Sequence, residues 1–330
     1  MADQADQADQ ADQADRADRA DRADRADRAD RAGASGEHTY LVIANAGAGT
    51  AEQPRVDAAV ATLAAAGPTR LWRTGGVEEL DQALEGAVAA GHVIVAVGGD
   101  GSLHAVVSRL RARRELSDAL LGLVPCGTGN DFARGLDVPL EAVGAAQRIV
   151  GGTRRRLDLL VDDADDVVVN SVHAGLGAVA AGRAEGLKER LGAVAYPLGA
   201  VLEAVRADGW KLTVTVDGTA LELPDRRALM VGVGNGPSIG GGTVLCPGAD
   251  PGDGLLDVVV SCATGPAARV AFGAALGAGT HVERDDVVTA RGYEVRISGD
   301  PISYDADGEV SDEVADRTYR VEPGAWTLIC

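Results

Sequence analysis

From Thr39 onward, short apolar runs alternate with stretches whose apolar residues recur at helical spacing. Short runs between turn residues are typical of buried strands, whereas apolar residues three and four positions apart mark one face of a helix. The alternation predicts a parallel sheet with helices on both faces, which is a three-layer α/β domain. The predicted strands are 40–44, 70–73, 92–97 and 120–124, and the predicted helices are 55–66, 77–90 and 103–113.

After about Arg154 the pattern changes to strands separated by turns. Asp217 and Gly218, for example, form a typical two-residue hairpin turn. We therefore expect an antiparallel β-sandwich in the second half, interrupted by helices near 179–206 and 267–276. The predicted strands are 167–172, 212–216, 228–233, 256–260 and 294–298.

Residues 2–32 are a low-complexity repeat of four Ala-Asp-Gln units, six Ala-Asp-Arg units and a closing Ala. A three-residue period cannot keep one helix face apolar, and alanine is the only apolar residue present. The segment has nothing to bury, so we predict a disordered tail over residues 1–37.

The charge of the chain restricts its partners. The repeat, with ten aspartates against six arginines, contributes −4 to the net charge of −19, so the remainder carries −15. This excess opposes binding to nucleic acid and adsorption to anionic membranes. The local basic face formed by Arg109, Arg111, Arg113 and Arg114 suits either a contact to lipid or phosphate or a solvated helix side.

The four cysteines show no C-x-x-C spacing, and the chain has no run of about 18 apolar residues and no apolar signal core. We expect reduced thiols in a cytoplasmic protein that is at most peripheral at the inner membrane face. Cys126 is expected to fill space, with a reactive thiol as the alternative.

Two glycine motifs carry the candidate chemistry. The first glycine motif is Gly-Gly-Asp-Gly-Ser at 98–102, and the second is Pro-Cys-Gly-Thr-Gly-Asn-Asp at 125–131. Each follows a predicted strand, where backbone N–H groups converge and glycines let phosphates approach closely. Similar turns of small residues follow the other two strands, at 45–50 and at Thr74. Four such turns at one sheet edge predict a nucleotide site.

Asp100 is the acidic residue of the first glycine motif. A carboxylate repels phosphates unless a divalent cation lies between them, so we expect Asp100 to contact ATP-bound Mg²⁺; an ordinary turn aspartate is the alternative. Thr128 is expected to donate its hydroxyl to a phosphate or ribose oxygen, and Asn130 or Asp131 to cap the next helix. His104 is expected to pack against the sheet, with an approach to the nucleotide as the alternative.

The glycine motifs, the second continued by Phe-Ala-Arg at 132–134, resemble the catalytic domain of the diacylglycerol kinase and sphingosine kinase family, particularly its soluble bacterial lipid-kinase branch. Ser102 replaces the usual threonine and Ala46 the usual proline, and neither change removes a reacting group. The other matching segments are 170–177, the glycine turn 240–242 with the residues up to 247, the acidic loop 249–257 and the Asp-Gly-Glu sequence 307–309, here called the D-G-E turn.

The resemblance implies an ATP-binding domain over 38–155, similar to NAD kinase and phosphofructokinase, and a β-sandwich domain with the lipid and metal sites over 156–314. Residues 315–330 are expected to pack back onto the first domain. The residues implied to surround ATP are Asn45, Ala46, Gly47, Ala48, Gly49, Thr50, Thr74, Gly98, Gly99, Gly101, Ser102, Gly127, Thr128 and Gly129.

The resemblance also implies that Glu309 is the general base, with a plain hairpin at the D-G-E turn as the alternative; Glu309 and Asp100 are the two predicted catalytic residues. In the acidic loop, the carboxylates of Asp250 and Asp253 and the carbonyl of Leu255 can present three oxygens to one hard cation. The resemblance suggests a structural Mg²⁺ there, with Ca²⁺ or a solvated acidic turn as alternatives.

The implied reaction transfers the γ-phosphoryl group of ATP to a lipid alcohol, with diacylglycerol, giving phosphatidic acid, as the default acceptor. The alternatives are a sphingoid base, phosphatidylglycerol or NAD as acceptor, or a regulator that binds nucleotide or lipid without catalysis. A lipid acceptor implies transient contact with a membrane surface. No nucleic-acid partner is expected, and a homodimer is left open.

Overall fold

The computed structural model describes residues 38–47, 52–175, 209–224 and 227–330. The predicted tail over 1–37 and the predicted helix near 179–206 lie outside the described residues. In the first half, the strands are β1 (Tyr40–Asn45), β2 (Thr69–Thr74), β3 (Val93–Gly98) and β4 (Leu120–Pro125), and the helices are α1 (Gln53–Ala64), α2 (Val77–Leu84), α3 (Asp100–Ala112), α4 (Asp131–Gly135) and α5 (Ala142–Gly151).

Strands β1 to β4 are parallel and lie in the order β2-β1-β3-β4. Strand β3 is buried along its whole length, because helices cover both of its faces. Helix α1 packs on α5, and α2 packs on α3. The structure thus confirms the predicted α/β layers.

The largest differences from the predicted helix boundaries are the end of α2 and the start of α3. Helix α2 ends at Leu84 because Glu85 leaves the helical conformation (ψ 118°) and Gly86 has a left-handed backbone (φ 69°). Helix α3 begins at Asp100 rather than at Leu103, since the extended Gly99 precedes it directly. The last three residues of the first glycine motif are therefore the first turn of α3.

The second half consists mainly of antiparallel strands. The predicted strand 167–172 is two strands, because the N–H groups of Val169 and Asn170 donate to the Asp307 side chain instead of to a neighbouring strand. None of the described helices is long and apolar enough to cross a lipid bilayer. The elements are β5 (Arg154–Asp162), β6 (Val167–Val168), β7 (Ser171–Gly175), β8 (Trp210–Val216), β9 (Thr219–Ala220), β10 (Arg227–Ala228), β11 (Met230–Gly234), β12 (Ser238–Ile239), β13 (Thr243–Val244), β14 (Leu256–Ser261), α6 (Pro266–Ala278), a 3-10 helix (His281–Glu283), β15 (Val287–Gly292), β16 (Glu294–Ile302), β17 (Tyr304–Ala306), β18 (Glu309–Val310) and β19 (Val314–Ile329).

Two sheets face each other in this half. The large sheet continues from β4 through β19, β16 and β8 to β10, and the small sheet has the order β15-β14-β11-β7-β17-β18. Both contribute to one apolar core, with Val172 and Val258 from the small sheet and Val214 and Ile297 from the large sheet. This packing confirms the predicted antiparallel β-sandwich and, with the parallel strands, the fold class.

Strand β19 joins the two halves. It pairs antiparallel with β16 and β5 and then parallel with β4, where Thr327 is the partner of Leu120. Trp326 on β19 is fully buried, stacks on Phe132 with ring centroids 5.7 Å apart, and donates its indole N–H to the Asp158 carbonyl (3.1 Å). The exact domain boundaries proposed from the sequence stay a prediction.

We predict that Trp326→Ala lowers the free energy of unfolding by about 3–5 kcal/mol, because it leaves a cavity in the core and removes one of the two side-chain hydrogen bonds that the Asp158 carbonyl accepts, the other coming from Asn235. Urea denaturation at constant pH measures this loss. Tyr293→Ala is the control, since Tyr293 is 62% exposed and its truncation should cost less than about 0.5 kcal/mol. Equal losses in the two variants would contradict the assignment.

Candidate active site

The carboxyl ends of the four parallel strands meet at one edge of the large sheet. The Ala46 N–H donates to the Thr74 carbonyl (2.9 Å) across two of the turns there. The Cys126 N–H donates to the Gly98 carbonyl (2.7 Å) across the other two. The predicted nucleotide residues at this edge are Asn45, Ala46, Gly47, Thr74, Gly98, Gly99, Gly101, Ser102, Gly127, Thr128 and Gly129, whereas Ala48, Gly49 and Thr50 lie outside the described residues.

The two glycine motifs pack directly against each other. A Cβ atom added to Gly127 would lie 2.5 Å from the Gly99 Cα, so only glycine permits this approach. The Ser102 side chain folds over Gly98, where an added Cβ would lie 2.1 Å from its Oγ. Gly101, in contrast, has no protein atom within 4 Å of an added Cβ. The first turn of α3 therefore has open space beside an exposed backbone.

Asp100 caps helix α4. Its carboxylate accepts hydrogen bonds from the N–H groups of Asp131 and Phe132, both at 3.0 Å. Burial raises the pKa of Asp100, the two N–H groups lower it, and the charges of Asp131 and Asp307 raise it; the net shift is upward. The carboxylate thus lies close to other negative charges, where a cation would be favourable.

Asn130 and Asp131 do not cap α4, so that expectation is wrong. Asn130 has a left-handed backbone (φ 54°), and its amide closes the second glycine motif by accepting from the Gly127 N–H (3.0 Å) and donating to the Gly127 carbonyl (2.8 Å). The buried Asp131 carboxylate accepts from the N–H groups of Gly241 and Gly242, both at 2.7 Å. Asp131 thereby attaches the second glycine motif to the glycine turn.

The Asp307 carboxylate is enclosed by donors, and its side chain is 1% exposed. It accepts from the consecutive N–H groups of Val169 (2.6 Å), Asn170 (2.9 Å) and Ser171 (3.0 Å). His104 Nδ1, from helix α3, lies 2.9 Å from its Oδ2. Asp307 therefore joins the D-G-E turn to the β6–β7 connection and to the helix that starts in the first glycine motif.

The D-G-E turn exposes Glu309 at the start of β18, opposite Ala306 on β17. Its backbone is left-handed at Asp307 (φ 51°) and at Gly308 (φ 94°), and the Gly308 N–H donates to the Asp305 carboxylate (2.8 Å). The turn is therefore fixed from both sides, while Glu309 is exposed.

His104 has an acidic environment that the sequence analysis did not foresee. Burial lowers the pKa of its imidazole, but the hydrogen bond and charge of Asp307 and the charges of Glu309 and Asp166 outweigh this and raise it. The ring therefore has a specific partner in addition to the packing expected from the sequence. The Asp-Gly pair at 307–308 indicated a turn, but nothing in the sequence indicated contacts to residues more than a hundred positions away.

The acidic loop is paired with arginines. Asp250 forms an ion pair with Arg155, and Asp253 forms one with Arg291. The other Asp253 oxygen accepts from the Leu255 N–H (3.0 Å). Across the residues that the structure describes, no three acidic, histidine or cysteine side chains converge as a metal site. The cation at Asp250, Asp253 and Leu255 stays a prediction, which these contacts do not support.

Two protein-family models match the chain. The diacylglycerol kinase catalytic domain matches residues 39–161, and the YegS C-terminal NAD kinase beta sandwich-like domain matches residues 170–330. Together they cover both halves of the fold described above.

Curated relatives extend over most of the chain. A protein of Stenotrophomonas maltophilia named "Probable lipid kinase YegS-like" is 35% identical over 260 residues, which are 76% of this chain and 81% of that protein. A protein of the same name from Pseudomonas aeruginosa is 35% identical over 70% of this chain and 76% of its own length. A crystal structure of a diacylglycerol kinase from Bacillus anthracis has a TM-score of 0.70 at 24% identity, covers 89% of this chain and 96% of its own, and shows the common fold. The chain therefore belongs to the YegS-like family of lipid kinases, which is built on the diacylglycerol kinase catalytic domain.

Proposed function

We propose that the protein phosphorylates a lipid alcohol with ATP, and that diacylglycerol, giving phosphatidic acid, is the acceptor. The observation that carries the proposal is the attachment of the D-G-E turn to helix α3 through Asp307 and His104. It brings a carboxylate of the second half, Glu309, to the helix whose first turn belongs to a phosphate-binding motif. The names of the relatives and of the structural neighbour support the same class of reaction.

The ATP phosphates would bind at the first turn of α3. Free backbone N–H groups and the positive end of the helix dipole favour an anion there. The open space beside Gly101 leaves room for it. Thr128, exposed in the second glycine motif, would donate its hydroxyl to the nucleotide.

A divalent cation fits this site when it arrives with ATP. Asp100 lies close to the charges of Asp131 and Asp307, and its two N–H partners leave lone pairs on both oxygens. Mg²⁺ bound there would neutralise the charge that develops on the transferred phosphoryl group.

Glu309 would act as the general base. As the acceptor oxygen bonds to the γ-phosphorus, its proton passes to the Glu309 carboxylate, the bond from the γ-phosphorus to the bridging oxygen breaks, and ADP leaves with the electron pair. The exposed position of Glu309 suits this role, since an acceptor in a membrane has to reach it from outside the protein. The proposal therefore includes transient contact with a lipid surface.

Glu309→Gln should lower kcat by about 10²- to 10⁴-fold, because the variant keeps the shape but has no proton acceptor. The assay is transfer of labelled γ-phosphate to diacylglycerol, monoacylglycerol, sphingosine or phosphatidylglycerol in mixed micelles, and to NAD in solution. Glu313→Gln, an exposed acid four residues further on, should keep the wild-type rate. Full activity of the Glu309 variant would exclude this base, and label on NAD alone would exclude a lipid acceptor.

Gly101→Ala should weaken ATP binding without destabilising the fold. The added Cβ meets no protein atom but occupies the space assigned to phosphate, and alanine is the better helix former by about 1 kcal/mol. Gly127→Ala should instead lower the melting temperature of the free protein, because its Cβ meets the Gly99 backbone. Thermal melting with and without ATP and Mg²⁺ separates the two effects. An undiminished ATP-induced shift in Gly101→Ala would place the phosphates elsewhere.

A further inference from the structure

We propose that His104 is a positioning residue for the phosphoryl transfer: through its hydrogen bond to Asp307 it fixes the D-G-E turn, and with it Glu309, relative to the first glycine motif. This inference rests on the proposed function, because the residue that it positions is the proposed base. The hydrogen bond would hold two segments that are 203 residues apart in sequence in a fixed geometry for the transfer.

His104 lies in the helix that begins in the first glycine motif. His104 lies four residues after Asp100, which opens the helix, so the two side chains project from the same face about 6 Å apart along the axis. The same rigid turn of helix thus presents N–H groups to the phosphates and an imidazole to the D-G-E turn. A rigid connection of this kind is what an in-line transfer requires, since small misplacements of reacting groups are costly.

The Asp307 carboxylate receives hydrogen bonds from both halves of the fold. Three of its four described donors are the backbone N–H groups of residues 169–171, which belong to its own half of the fold. The fourth is His104, from the nucleotide-binding half. Without His104 the D-G-E turn keeps its shape but loses its direct attachment to α3. The separate contact from Asp131 to the glycine turn still holds the two halves together.

The imidazole ring of His104 has negative charges around it. The carboxylates of Asp307 and Glu309, both in the D-G-E turn, and that of Asp166 act on His104 from two different parts of the chain. Burial lowers the pKa of His104, but these carboxylates raise it by more, so the pKa lies above its ordinary value of about 6.5. A raised pKa in the folded state means that the ion pair stabilises the protein fully below about pH 6.5 and loses this effect as pH rises through the raised value. The attachment therefore weakens on the alkaline side.

The test compares three variants in the labelled-phosphate assay. His104→Leu removes both the donor and the charge and should lower kcat by about 100-fold, with the KM for ATP changed less than about twofold. His104→Asn offers an N–H donor near the position of Nδ1 and should recover most of the lost kcat. His92→Asn, at a histidine before β3 and outside the site, should behave as the wild type.

The pH dependence distinguishes positioning from a merely structural role. From pH 6 to 9 the wild-type kcat should contain an alkaline decrease that is absent in His104→Asn. The melting temperature of the free wild-type protein should exceed that of His104→Asn most at pH 6, and the difference should shrink toward pH 9. This second readout needs no substrate, so it reports on the ion pair even if the kinase assay fails.

Each adverse outcome has one meaning. A wild-type rate in His104→Leu overturns the inference and leaves the proposed function standing. A folded His104→Asn that is as inactive as His104→Leu overturns the role of the hydrogen bond. Absence of phosphate transfer in the wild-type protein overturns the proposed function, and the positioning role with it.

Discussion

The buried carboxylate of Asp307 is the interaction on which the candidate site depends. Transfer of a charge from water into a protein is costly unless hydrogen bonds replace its hydration. Asp307 obtains them from three consecutive backbone N–H groups and from His104. These backbone groups are thereby withdrawn from strand pairing, which is why the predicted strand 167–172 is interrupted. The shape of the D-G-E turn, the start of β7 and the orientation of α3 are consequently interdependent.

The same device recurs around the site. Asp100 accepts two successive N–H groups of α4, and Asp131 accepts two successive ones of the glycine turn. Successive N–H groups converge on one anion only where the chain turns sharply, so glycines and left-handed residues accompany these carboxylates. Some of the acidic residues of the chain therefore stabilise backbone turns by accepting hydrogen bonds from their N–H groups.

Sequence patterns predicted the parts of the structure that depend on local periodicity. The four parallel strands, their common carboxyl edge and the sandwich strands β8, β11, β14 and β16 were recognisable, because burial produces continuous or alternating apolar residues, whereas β5, β15 and β19 were not predicted. The start of α3 and the cap of α4 were not. Asp100 meets its partner N–H groups 31 and 32 residues later, and Asp131 meets the glycine turn 110 residues later. Such pairings follow from tertiary structure, to which a local pattern is insensitive. Glu309 was identified by resemblance alone, and the partner of His104 was not foreseen because Asp307 lies 203 residues later.

Strand β19 has a consequence for the order in which the chain folds. Strand β4 is exposed on one side until Thr327 and Leu328 pair with it, and those residues are synthesised about two hundred positions after Leu120 and Leu121. The stacking of the Phe132 ring on the Trp326 indole likewise cannot form until Trp326 has been synthesised. Pairings of such long sequence separation form slowly, and an unpaired strand edge invites association with other chains. During synthesis on the ribosome, the sheet of the nucleotide-binding half thus remains incomplete at β4 until β19 has emerged.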